Sequence, residues 1–82
     1  MMKTKKNKLG IKGFVLVGVC RDVDFYYSRT QNQFVDDVMK LTVGDLMTKS
    51  DKQTTDFDQI KTDYPLVDSI KGWAKIKIKI EL

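Results

Sequence analysis

The stretch GWAKIKIKIEL at the end of the chain alternates without a break. Ala74, Ile76, Ile78, Ile80 and Leu82 fall on one parity, and Trp73, Lys75, Lys77, Lys79 and Glu81 on the other. A period of two belongs to the β-strand, whose successive side chains point to opposite faces, and it does not fit the 3.6-residue period of a helix. The pattern therefore predicts a strand that turns an isoleucine row toward a core and one tryptophan with three lysines the other way. Any fold for this chain must cover one side of that strand and leave the other wet.

A second β-rich stretch, GFVLVGVCRDVDFYYS, predicts one long strand or two joined strands. Gly18 in its middle marks a bulge or bend. SRTQNQ is polar, and Asn32 tolerates a left-handed backbone, so it reads as a hairpin loop. The return strand is expected over FVDDVMKLTV. There a bulge near Asp36 and Asp37 would bring Phe34 inside with Met39 and Leu41, whereas strict alternation leaves Phe34 outside. Thr54 or Thr55 would cap a short helix running to about Thr62, with Asp56 and Asp58 in its first turn and Phe57, Ile60 and Tyr64 on one side. Pro65 ends it, PLVDSI offers a further short strand, and Lys71-Gly72 turns the chain into the last one.

At 82 residues, 41% hydrophobic and 32% charged, the chain has enough to fold but only one small core, burying about 60% of its unfolded surface. The order of elements suits a mainly β fold, a small five-stranded OB-like Greek-key barrel with one short helix. An SH3-like barrel or an open meander would read almost the same. Residues 1–13 carry five lysines and no acid, and are expected to be a flexible basic arm; residues 14–82 form the single barrel domain.

The formal charge of +4 is unevenly spread. Both ends are basic, while between Phe14 and Ser69 ten aspartates outnumber six basic residues. If the fold joins the two ends, they make one positive patch suited to a phosphate-bearing partner. The bland reading is that these lysines keep a small β-protein soluble and its edge unattractive for aggregation.

Histidine is absent and Cys20 is the lone cysteine. There is thus no Cys/His zinc site, no histidine base and no internal disulfide. Cys20 reads as a small apolar residue in a reducing compartment, and the cytoplasm is the expected location. The basic start followed by an apolar run and a cysteine fits a lipoprotein signal badly, because the apolar run is short and Val19 is bulky. The aspartate pairs Asp22/Asp24, Asp36/Asp37 and Asp56/Asp58 could hold magnesium in a nuclease. They read more simply as turn and helix-cap residues, so no enzyme, cofactor or metal is expected.

What remains is an aromatic and basic constellation. Tyr26, Phe34 and Trp73 would stack bases, while Arg29, Lys12, Lys75, Lys77 and Lys79 would neutralise phosphates. Parity places Tyr27 with Val23 and Phe25, and Tyr26 with Asp22 and Asp24, which would repel phosphate. The expectation is a non-catalytic, largely sequence-independent binder of single-stranded DNA or RNA, DNA before RNA, with a homodimer open to it and no membrane partner. Its size and charge are similar in general character to single-strand-binding proteins of phages and plasmids, without a diagnostic motif. The alternative is a small phage or mobile-element module docking on an acidic host protein.

Overall fold

A computed structural model describes residues 8–81. It is mainly β, with strands β1 (Lys8–Cys20), β2 (Val23–Ser28), β3 (Gln33–Val35) and β4 (Ser69–Glu81), and helices α1 (Lys49–Thr54) and α2 (Phe57–Asp63). The strands form one antiparallel sheet in the order β3-β2-β1-β4. β1 and β4 are each 13 residues long and pair from Lys8↔Glu81 to Val19↔Ser69. This ribbon accounts for the long dimension of a molecule measuring 52 × 26 × 19 Å.

The middle of β1 is apolar at every position because both of its faces are covered. On one face Val15 packs with Val35, Leu41 and Leu46, and Ile11, Tyr26, Ile76 and Ile78 join from the strands. On the other, α1 and α2 lie over the sheet. There Phe57 meets Trp73 at 6.1 Å between ring centroids, and Tyr64 meets Tyr27 and Phe34 at 5.4 and 5.3 Å. Burial, then the hydrogen bond to Tyr27, pushes the Tyr64 hydroxyl up to about 12. Met47 carries the chain from one face to the other, exchanging backbone hydrogen bonds with Phe14 of 2.8 and 2.9 Å. Val15 and Leu16, adjacent and on opposite faces, are both fully buried.

Several expectations change here. The mainly β class stands, but the described residues make four strands in an open order, where five in a barrel were expected. Residues 8–13, read as part of an arm, are the first half of β1; residues 1–7 lie outside the described residues. The return strand stops at Val35, because Asp37 accepts a hydrogen bond from the Met39 amide (2.9 Å) and starts a 3-10 turn. Aspartate offers the backbone a local partner that competes with the ladder. Met39 consequently lies 85% exposed, outside rather than in the core. Phe34 packs against Tyr27 and Tyr64 while its neighbour Val35 fills the opposite face.

The expected helix is α2, capped by Asp56 rather than by Thr54 or Thr55. α1 was not anticipated, although Thr48 and Asp51 form a capping box that TKSD spells out. Residues 65–68 are not a strand. Lys71-Gly72 is not a turn but an irregularity within β4: Val17 pairs with Gly72 and Gly18 with Ile70, leaving Lys71 over. Gly72 has φ +135°, which glycine alone adopts easily.

Gly18 has a second reason to be glycine. A Cβ there would sit 2.8 Å from Val67 Cγ1 and 2.9 Å from Phe34 Cε1, so Gly18→Ala is expected to cost about 1–3 kcal/mol through overpacking. Urea unfolding would measure it as a lower midpoint with an unchanged slope. The β1–β2 turn points the opposite way. Arg21 and Asp22 both have left-handed φ, 52° and 66°, the conformation of a type I′ turn that Asn-Gly prefers. Arg21→Asn with Asp22→Gly should therefore stabilise by about 0.5–1 kcal/mol, read as a raised melting temperature.

Candidate nucleic-acid interface

The register of β1 against β4 builds a basic surface from both strands. Leu16 pairs with Trp73, Phe14 with Lys75, Lys12 with Lys77 and Gly10 with Lys79, so all these residues share the face that α1 partly covers. Lys12, Lys75, Lys77 and Lys79 are exposed, and among the described residues none of them forms an ion pair. Lys12 and Lys77 stand directly opposite each other, an arrangement that repels in the absence of an anion. Gly10 makes room for the row: a Cβ there would collide with the Lys77 side chain, which lies across it. The alternation lifts every second residue of β4 onto this face at a repeat of about 6.6 Å.

α1 adds what the sequence reading missed. The Lys52 ammonium sits 3.9 Å from the centroid of the Phe14 ring, a cation–π contact beside Lys75. Lys49 stands one helical turn earlier. Their signal was present in TKSDKQT, where the capping box predicts a helix and the i, i+3 spacing puts both lysines on one side of it.

Three of the expected binding residues lie elsewhere. Tyr26 pairs with Val17 and Val35 on the opposite face and packs on the apolar cluster there. Phe34 belongs to the aromatic group under α2. Arg29 is engaged in holding the fold: its Nε donates to the Gly44 carbonyl and its Nη2 to the Leu46 carbonyl, each at 3.0 Å, and it lies 3.6 Å from Asp51. Trp73, Lys75, Lys77, Lys79 and Lys12 are brought together; Tyr26, Arg29 and Phe34 are not with them.

The aspartates have local duties. Asp24 pairs with Lys71 at 3.0 Å and Asp36 with Lys40 at 2.8 Å, while Asp37 caps a 3-10 turn and Asp56 caps α2. Among the described residues no three acidic or cysteine side chains gather as a metal site. An apolar hollow of ≈ 440 Å³ lies away from the lysines, lined by Cys20, Phe25, Phe34, Tyr64, Leu66 and their neighbours.

Asp45 is the one carboxylate fully buried within the described residues. It accepts hydrogen bonds from the Ser28 hydroxyl (2.8 Å), the Thr30 amide and hydroxyl (3.0 and 2.7 Å) and the Thr42 amide and hydroxyl (2.8 and 3.2 Å). Burial opposes its charge, but these donors outweigh burial and pull the carboxyl down to about 2. With Arg29 it fastens the β2–β3 hairpin to residues 42–46, which carry the chain toward α1. Its role is to position the helix that flanks the lysine row.

No family model matches this chain, and no curated protein or solved structure does either. Among the described residues no helix is long and apolar enough to cross a membrane.

Proposed function

We propose that the chain is a non-catalytic, largely sequence-independent binding protein for single-stranded nucleic acid, DNA before RNA, acting in the cytoplasm. The observation that carries the reading is the β1–β4 register. It gathers Lys12, Lys75, Lys77 and Lys79, separated by more than sixty residues of sequence, into one basic row that ends at Trp73 and forms no ion pair among the described residues. Lysines in such a row neutralise consecutive phosphates and release their counterions, and an aromatic ring at its end stacks a base at roughly 1–3 kcal/mol. The strand would follow the β1–β4 ribbon, as it follows the curved sheet of OB-like modules. A second copy in a homodimer would lengthen the row.

A second reading has its own support. β4 is an edge of the sheet, and a long edge strand bearing lysines can add a strand from an acidic protein. Fluorescence anisotropy of a labelled oligo-dT at low salt, beside a labelled acidic peptide of equal length and charge, separates the two. The nucleic-acid reading expects tighter binding of the oligonucleotide. Preference for the peptide would replace it with the protein-docking one.

A further inference from the structure

Where the lysine row meets the helices lies a shallow groove of ≈ 330 Å³, walled by Trp73 on the sheet and by Lys49, Lys52 and Gln53 on α1. Phe57 lies against Trp73 with its ring tilted by 48°, supporting the indole from α2. Lys52 is held in place over Phe14, and Phe14 is the cross-strand neighbour of Lys75. The groove thus has an aromatic wall, cations at its mouth, and a continuous basic path leading away along Lys75, Lys77 and Lys79.

Resting on the single-strand reading above, we infer that this groove takes one unpaired nucleobase against Trp73. The phosphates on either side of that base are held by Lys49 and Lys52 and by Lys75. A base inside a duplex has both faces stacked and its edge paired, and bringing it out costs a few kcal/mol. Duplex would then engage only the lysine row. The amide of Gln53 carries both donors and an acceptor, so it can meet the edge of any base, which suits a slot that does not choose among the four.

Trp73 is the sole tryptophan, so its fluorescence reports on the groove directly. The full chain would be titrated with an eight-residue oligo-dT, an abasic octamer with the same phosphates, and an eight-base-pair duplex, following both tryptophan emission and anisotropy of a labelled end. The slot predicts that oligo-dT quenches Trp73, whereas the abasic octamer binds roughly 10- to 100-fold more weakly and leaves the emission unchanged. Gln53→Tyr, at an exposed helix position, fills the groove. It should abolish the quenching and the preference for oligo-dT while leaving the melting temperature and the salt dependence of binding as they were. Equal affinity for oligo-dT and the abasic octamer, with a steep salt slope for both, would overturn the slot and leave the phosphate reading standing. Quenching that survived Gln53→Tyr would also overturn it. No binding of any of the three would overturn both readings.

Discussion

Asp45→Ala is expected to cost about 3–5 kcal/mol, a large share of what holds an 82-residue chain together. The side chain makes no ion pair among the described residues, yet removing it strands the hydroxyls and amides of Ser28, Thr30 and Thr42 that now donate to it. Each buried donor left without an acceptor costs on the order of 1–3 kcal/mol, tempered by whatever water enters. Asp45→Asn keeps the shape but turns an amide toward donors, so it should recover only part of the loss. The same site fixes an acid limb. The carboxyl is held at about 2 in the folded protein against an ordinary 3.8, so in acid the unfolded chain takes up its proton first. The contribution, about 2 kcal/mol, is complete above about pH 4 and is lost as the pH falls through 2. Urea midpoints measured between pH 5 and 2 should fall steeply in the wild type and less so in Asp45→Asn. Parallel curves for the two proteins would show that Asp45 does not carry the acid dependence.

Replacing Lys75, Lys77 and Lys79 together with threonine should move stability and affinity in opposite directions. Threonine suits a strand better than lysine, and the change removes the repulsion across Lys12↔Lys77, so the variant should be more stable by about 0.5–1 kcal/mol at low salt. Losing three phosphate contacts should weaken binding of oligo-dT about 100-fold or more at roughly 50 mM salt and flatten the salt slope by about 2. A row that serves only to keep the edge strand from pairing with other chains gives a different result. In that case the variant would aggregate, and oligonucleotide affinity, whatever its size, would not change.

How much of this was legible in the sequence varies from place to place for physical reasons. The strict alternation from Trp73 onward spelled out β4 and its lysine face, since a period of two has only one structural meaning at that length. α2 was legible from its aspartates and from Pro65, which are local signals. The return strand was not: the alternation of FVDDVMKLTV continues on paper past Val35, but Asp37 and Asp45 hydrogen-bond nearby amides and hydroxyls and bend the chain into 3-10 turns. Tyr26, Arg29 and Phe34 carried the right chemistry for a nucleic-acid surface and lie apart from it. Their positions depend on which face each strand of the sheet presents and on what covers it. Arg29 in particular is drawn to the carbonyls of Gly44 and Leu46, residues 15 and 17 positions away. Lys12, by contrast, was singled out for its charge and lands in the row because β1 pairs with β4 as far as Lys8.

The charge row itself is tested most directly by the salt dependence of oligo-dT binding to the unmodified chain. Four lysines on four phosphates predict that log K falls with log salt at a slope of about −3, so that affinity drops roughly 50-fold between 50 and 200 mM salt. A slope near zero, or no binding at 50 mM, would contradict the assignment of this face to nucleic acid.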